Sequence, residues 1–184
     1  MNQIEIQTER LILKSITPAI IHELFKTKSR DEIISYFGFG DSSYEHYKSM
    51  HEQGMESFRI SVFSFLLIDK LTELPIGECG FHTWNKTHNR AEVFYNLWNE
   101  TFKRKGLMSE ALKGVLEYGF TNLNLHRIQA LIAIENEPSL KLLLKNGFSK
   151  EGIMREDYVV NGINEDSHCY SLIKREWETI KKVN

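Results

Sequence analysis

The stretch Trp98-Asn99-Glu100-Thr101-Phe102-Lys103-Arg104-Lys105-Gly106-Leu107-Met108-Ser109-Glu110 decides how the rest of the chain reads. A run of strand character ends at Trp98, three consecutive basic residues and a glycine follow, and the hydrophobic period then changes. From Gly106 to Thr121 the apolar residues Leu107, Ala111, Leu112, Val115, Leu116 and Phe120 keep a helical repeat, predicting a helix of about four turns. A helix N-terminus offers unpaired backbone N–H groups and the positive end of the helix dipole. Strand, basic turn and helix together therefore predict an anion site, with Lys103, Arg104 and Lys105 placing charge where a pyrophosphate would sit. Taken alone, the same turn also reads as an ordinary solvated loop.

Upstream, Ile60–Asp69, Ile76–Trp84 and Arg90–Trp98 are rich in β-branched and aromatic residues and are joined by short connections, a pattern that predicts an antiparallel meander. Ile4 to Ile16 alternates apolar and polar residues and reads as one strand. Thr17-Pro18 supplies an N-cap and a first helical residue for a short helix carrying Ile21, Leu24 and Phe25 on one face. Asp31 to Arg59 is irregularly helical and aromatic, and Gly38-Phe39-Gly40 breaks it.

Downstream, Ile128–Ile134 reads as a strand. Asn136-Glu137-Pro138-Ser139 opens a helix with Leu140, Leu143 and Leu144 facing inward, and Gly147 ends it at the C′ position. Asn161-Gly162 between apolar residues predicts a hairpin. The order is strand, helices, three strands, helix, strand, helix, hairpin. It predicts an α/β chain of α+β character, with helices on a mixed sheet. Three prolines and no low-complexity tract predict a single domain over residues 1–184.

Composition narrows the function. The 184 residues carry a formal net charge of −2 and a sequence pI of about 6.4, so no field of one sign points to a nucleic-acid backbone. No run approaches the roughly 18 apolar residues that cross a bilayer, so no membrane partner is expected. Cys79 and Cys169 form no C-x-x-C and the N-terminus resembles no signal peptide, which predicts free thiols in a reducing cytoplasm. The seven histidines are scattered, and no metal site is expected.

In this context Lys103-Arg104-Lys105-Gly106-Leu107-Met108-Ser109-Glu110-Ala111 resembles the pyrophosphate loop of the GNAT superfamily of N-acetyltransferases. In the branch that acetylates ribosomal-protein N-termini at alanine or serine, that loop often reads Trp-Gly-Lys-Gly-Tyr-Met-Ser-Glu-Ala. The resemblance runs through Thr8–Leu13, Pro75–Phe81, Arg90–Val93 with Tyr95, Leu125–Ile128, Asn136 with Ser139, Lys145–Phe148 and Tyr170–Leu172, in the family's order. Two departures stand out. Arg104 occupies the usual glycine, where the loop still donates its N–H groups if position 104 does not require positive φ and the guanidinium can instead reach a CoA phosphate. Lys103 replaces Trp, Gln or Arg, and both changes leave the charge favourable for the cofactor.

The resemblance implies the GNAT acyl-CoA fold, a mostly antiparallel sheet flanked by helices and splayed between its fourth and fifth strands near Leu97 and Trp98. It implies acetyl-CoA as co-substrate, held by Leu97, Trp98, the loop Lys103, Arg104, Lys105, Gly106, Leu107, Met108 and Ser109, and by Asn136 and Ser139. It implies direct attack by a primary amine, with the N-terminal α-amine of a ribosomal protein as first acceptor. Small amines such as polyamines, antibiotics or metabolites are the alternative. Ser139 is placed to serve the departing thiolate, although Asn136 to Ser139 also reads as plain helix capping.

Glu92 is the first candidate for the general base, against a structural carboxylate paired with Arg90 or Arg127. Glu78 and His82 share one strand face and become candidates if that face lines the acceptor groove, whereas Cys79 points the other way into the core. His126 reads as structural. A non-catalytic acyl-CoA-binding module is the competing class, and RNA binding through Lys103–Lys105 would need a wider basic surface. The aromatic content near Tyr36 to Tyr47 permits a homo-oligomer.

Overall fold

The structure, a computed structural model, describes residues 3–38 and 40–183, without the side chains of 42, 43 and 183. In chain order the elements are β1 (Glu5–Gln7), β2 (Leu11–Ile16), α1 (Pro18–Thr27), α2 (Arg30–Phe37), α3 (Asp41–Gln53), β3 (Ile60–Asp69) and β4 (Pro75–Asn85). Then come β5 (Arg90–Leu97), a 3-10 turn (Glu100–Phe102), α4 (Leu107–Thr121), β6 (Arg127–Ala133), α5 (Glu137–Lys145), β7 (Ser149–Val160), β8 (Ile163–Ile173) and α6 (Lys174–Val183). The strands form one sheet in the order β1-β2-β3-β4-β5-β6-β8-β7. Neighbours run antiparallel except β5 and β6, which are parallel.

Alternation along the strands sends side chains to two cores. Leu13, Phe65, Phe81, Val93, Ile128 and Leu172 meet the apolar stripe of α4, where Leu112, Val115 and Phe120 are fully buried, together with Leu143 of α5. On the other face Ile16 and Leu66 meet Ile21 of α1, Ile33 and Phe37 of α2 and Tyr47 of α3. Leu112→Ala in a site this closed would cost about 2–5 kcal/mol.

Local signals explain the boundaries. The Thr17 hydroxyl accepts from Ile20 N and Pro18 starts α1, as their sequence predicts. Ser29 and Glu32 close a reciprocal capping box on α2. The helical region breaks at Gly38 and Gly40, and Phe39 between them lies outside the described residues. Asn161 and Gly162, at φ 52° and 81°, make the tight β7–β8 turn.

Two expectations about the elements need correction, and one helix lies beyond the predicted order. The strand expected over Ile4–Ile16 is two strands, because Thr8 folds back on Leu11 and makes Thr8–Arg10 a hairpin turn that contains no Gly, Pro or Asn. The strands expected as fourth and fifth are therefore β5 and β6. Leu144 is exposed; Leu140 and Leu142 flank the buried Leu143 instead. Helix α6 carries no Gly or Pro signal, and its Trp177 and Ile180 pack on the α4 core. Phe37 and Tyr47 are buried, and the half-buried Tyr36 and Tyr44 pack against them. Among the described residues no helix is long and apolar enough to cross a membrane.

Candidate active site

The basic loop is built from local geometry. Asn99 Oδ1 accepts from Thr101 N over 2.9 Å and starts the 3-10 turn, and the Lys103 ammonium pairs with Glu100. Arg104 follows at φ +59° and Gly106 at φ +79°. Position 104 does adopt the left-handed conformation, so Arg104 carries a backbone strain that the usual glycine would not. Gly106 occupies the N-cap of α4 without a side chain, which leaves the first N–H groups of the helix uncapped.

A clasp fixes this loop to the far end of the sheet. The backbone N–H and Nε of Arg10 donate to the two Glu110 carboxylate oxygens over 2.7 and 2.8 Å, and Arg10 Nη1 donates to the Lys105 carbonyl over 2.9 Å. Burial alone would push the Glu110 carboxyl up, but hydrogen bonds from Thr8 and Arg10 outweigh it and hold the group below its ordinary value. Lys105 thus takes part through its carbonyl. Its side chain, like Trp98, does not line the cleft that opens beyond the loop. Trp98 alternates to the opposite face from Leu97 and packs on the α1–α3 core.

That cleft, of about 750 Å³, is bounded by Leu97, Lys103, Arg104, Gly106, Leu107, Met108 and Ser109 on one side and by Asn136 and Ser139 on the other. Asn136 caps α5, its Oδ1 accepting from Ser139 N over 3.1 Å, so the capping reading holds for this side-chain oxygen. The cleft leads into the sheet. β5 and β6 pair only at Arg90↔Arg127, Ala91↔Ile128 and Glu92↔Gln129, and the splay therefore starts at Val93, earlier than Leu97 and Trp98. Backbone groups on the β6 side of β5 beyond Glu92 have no strand partner. A cavity of about 230 Å³ fills the gap, and it shares Tyr95, Asn136 and Ser139 with the cleft.

Tyr95 is a residue that sequence reasoning placed only within a strand. Its hydroxyl is buried beside the Ser139 hydroxyl, close enough to interact with it but without a hydrogen bond of good geometry. Burial pushes its phenol above the ordinary value, and Ser139 pulls it part of the way back. A tyrosine in the inward row of Ala91, Val93 and Leu97 is the signal that could have found it.

The gap continues through the sheet to the face covered by α1–α3. There a third cavity, of about 470 Å³, shares His82 and Phe94 with the splay. Its walls are mostly apolar, among them Ile21, Met50, Met55 and Phe94, and Glu78 is the one carboxylate among its described lining residues. The even spacing of Glu78 and His82 does place both on this groove. Tyr47 Oη donates to Glu78 Oε2 over 2.7 Å. Burial pushes the Glu78 carboxyl above the carboxylate range, opposed by Tyr47 and by the nearby His46.

Glu92 lies at the last paired position before the splay. Its Oε1 is 3.5 Å from His82 Nε2, and its Oε2 accepts from Gln129 Nε2 over 3.1 Å. Its partners are therefore not Arg90 or Arg127; Arg127 pairs with Glu151. Cys79 is fully buried in the α4 core, where burial and then Glu78 push its thiol up. His126 acts through its backbone, donating to Asn89 O and accepting from Lys174 N. No cluster of three or more metal-ligating side chains occurs among the described residues.

Three cavities thus meet end to end across the sheet. An uncapped helix N-terminus beside basic residues, an unpaired strand backbone and a buried hydroxyl with no well-formed hydrogen bond fit the pyrophosphate, the pantetheine amides and the sulfur of an acyl-CoA.

Residues 10–149 match the family described as the acetyltransferase (GNAT) domain. An uncharacterized N-acetyltransferase of Bacillus subtilis, YoaA, is 36% identical over 92% of this chain and 96% of its own. The putative ribosomal N-acetyltransferase YdaF of the same organism is 35% identical over 55% of each chain. Among solved structures, the spermidine N-acetyltransferase of Vibrio cholerae in complex with CoA and spermine superposes with a TM-score of 0.68 at 22% identity, over 92% of this chain and 98% of that one.

Proposed function

The chain belongs to the GNAT acetyltransferases, enzymes that move an acetyl group from acetyl-CoA to an amine, and we propose that its acceptor is the N-terminal α-amine of a protein, first a ribosomal protein. The observation that carries direct transfer is the continuity of the three cavities: donor cleft and acceptor groove open on opposite faces and meet at Phe94, Tyr95 and His82. The likeness to YdaF supports a ribosomal acceptor. A groove with a single lining carboxylate suits an acceptor with at most one positive charge beyond the reacting amine better than a polycation. Residues 1–184 act in this reading as one catalytic unit.

Acetyl-CoA supplies an activated thioester carbonyl when bound. The N-terminal N–H groups of α4, with Arg104 beside them, hold its phosphates, while Asn136 and Leu97 flank its arm. The free backbone of β5 beyond Glu92 pairs with the amides of that arm and polarises the carbonyl. On the acceptor side His82 takes the proton of the incoming ammonium, and Glu92 holds the imidazole with Gln129 behind it. On the donor side Tyr95, kept protonated by burial, and its neighbour Ser139 return a proton to the departing sulfur.

A second reading, acetylation of a small amine, draws on the spermine-bound fold neighbour. A non-catalytic acyl-CoA-binding module is the third. CoA release with ribosomal-protein N-terminal peptides and with small amines separates them. Turnover on the peptides supports the first reading, turnover on small amines alone supports the second, and acetyl-CoA binding without release on either panel supports the third.

A further inference from the structure

The acceptor groove holds a charge that the transfer reaction does not use. The reacting amine belongs at the junction of groove and splay, and the residues common to both cavities are His82 and Phe94. Glu78 lines the groove but not the splay. It sits four positions before His82 on β4, which separates the two Cα atoms by about 13 Å along an extended strand. One carboxylate oxygen takes the Tyr47 hydroxyl; among the described residues no donor meets the other, and His46, the nearby imidazole, acts on the group without forming an ion pair with it.

Resting on the transferase reading, we propose that Glu78 and Tyr47 form a second subsite of the acceptor groove, one that binds a cationic group at the far end of an apolar spacer from the reacting amine. A carboxylate half-sunk among apolar side chains is costly to keep without a cation, and such groups persist where a cationic partner arrives. Burial raises the Glu78 carboxyl accordingly, and an arriving cation reverses that shift. Tyr47 is built to orient the carboxylate: it is buried to 7% exposure and stacks on Phe37 with centroids 4.5 Å apart. Met50, Met55 and Phe94 supply the apolar walls between the two ends. The acceptor thus carries a primary amine and a second positive charge. A small diamine has this chemistry, and so does a protein N-terminus with a lysine or arginine among its first residues.

The test compares pairs of ligands that differ only in the distal charge. Straight-chain diamines are set against monoamines of equal length, and short peptides with lysine in third position against the same peptides with norleucine. Binding is read by calorimetry and turnover by CoA release, on the intact protein and on Glu78→Gln, Tyr47→Phe and Glu45→Gln. Glu45 is an exposed carboxylate on the same helix as Tyr47 and serves as the control.

Charged members of at least one pair series are expected to bind about tenfold or more tightly than their neutral partners. That ratio collapses towards one in Glu78→Gln, shrinks in Tyr47→Phe and stays in Glu45→Gln. The series that shows the ratio identifies the source, diamine or peptide. A ratio near one in the unaltered protein in both series, or a ratio that survives Glu78→Gln, overturns the subsite. Absence of CoA release in every arm would instead sink the transferase reading, while the binding ratio still decides the subsite.

Discussion

Arg10 and Glu110 stand a hundred residues apart and are joined twice, the backbone N–H and Nε of the arginine each donating to a different oxygen of one carboxylate. Arg10 also reaches the Lys105 carbonyl, so this pair sets the conformation of the loop assigned to the phosphates. Glu110→Gln is expected to weaken acetyl-CoA binding about fivefold, since charged hydrogen bonds at a partly exposed site are discounted by solvent. Calorimetric titration of the variant with acetyl-CoA measures it; an unchanged Kd would show that the loop keeps its shape without the clasp.

The same carboxyl gives the clasp an acid limit. Its folded value is depressed, so its contribution to stability is present above the unfolded carboxylate value of about 4.3 and is lost as pH falls through the lowered folded value. The melting temperature of the unaltered protein should therefore fall more steeply than that of Glu110→Gln as pH drops below about 4.3. Parallel curves would refute the assignment.

Arg104 combines an unfavourable backbone with a favourable charge. Arg104→Gly relieves a left-handed conformation worth about 1 kcal/mol, against a similar entropic cost of glycine, so the melting temperature should stay within a few degrees. Acetyl-CoA affinity should nonetheless fall several-fold, and less steeply with salt than in the parent. Equal affinities in the two proteins would mean that the guanidinium touches no phosphate.

The Tyr95 hydroxyl is buried with Ser139 beside it but no well-formed hydrogen bond, which makes its removal informative in two directions. Tyr95→Phe should leave the free protein as stable as before or more so by about 1–3 kcal/mol, because an unsatisfied group disappears. Its kcat should fall about a hundredfold, the usual loss of a general acid. A variant that is both stable and fully active would return Tyr95 to a packing role.

Glu92 and His82 are read as one unit, with the carboxylate acting through the imidazole at 3.5 Å. Single variants Glu92→Gln and His82→Ala should each lower kcat by about a hundredfold, and the double variant should be no worse than the poorer single. Additive losses would mean that the two act separately.

Much of this was legible in the chain. Thr17-Pro18, Asn161-Gly162 and the stripe from Leu107 to Phe120 are local signals, and local signals set the elements they mark. The order of elements and the loop before α4 then identified the family. The turn at Thr8–Arg10 escaped because its hydrogen bonds come from Thr8 and from Glu110 on a distant helix. The inward face of α5 is ambiguous at Leu144 because a helix of only nine residues leaves neighbouring phases nearly equivalent. The site was legible only in part. Glu78 and His82 share a face by simple alternation, but Tyr47 meets Glu78 through the packing of α3 on the sheet, which no spacing encodes. Tyr95 is unmarked in the sequence, because alternation along a strand does not encode a hydroxyl buried beside Ser139.

The short ladder between β5 and β6 has a mechanical meaning. The sheet behaves as two plates, joined along a brief seam and parted for the rest of their shared length. A molecule lodged in the parting would hydrogen-bond to the plate edge and bridge the two plates where the backbone does not. Occupancy and rigidity are then one variable: amide exchange along β5 and β6 should slow together when the donor binds and quicken together when the product leaves.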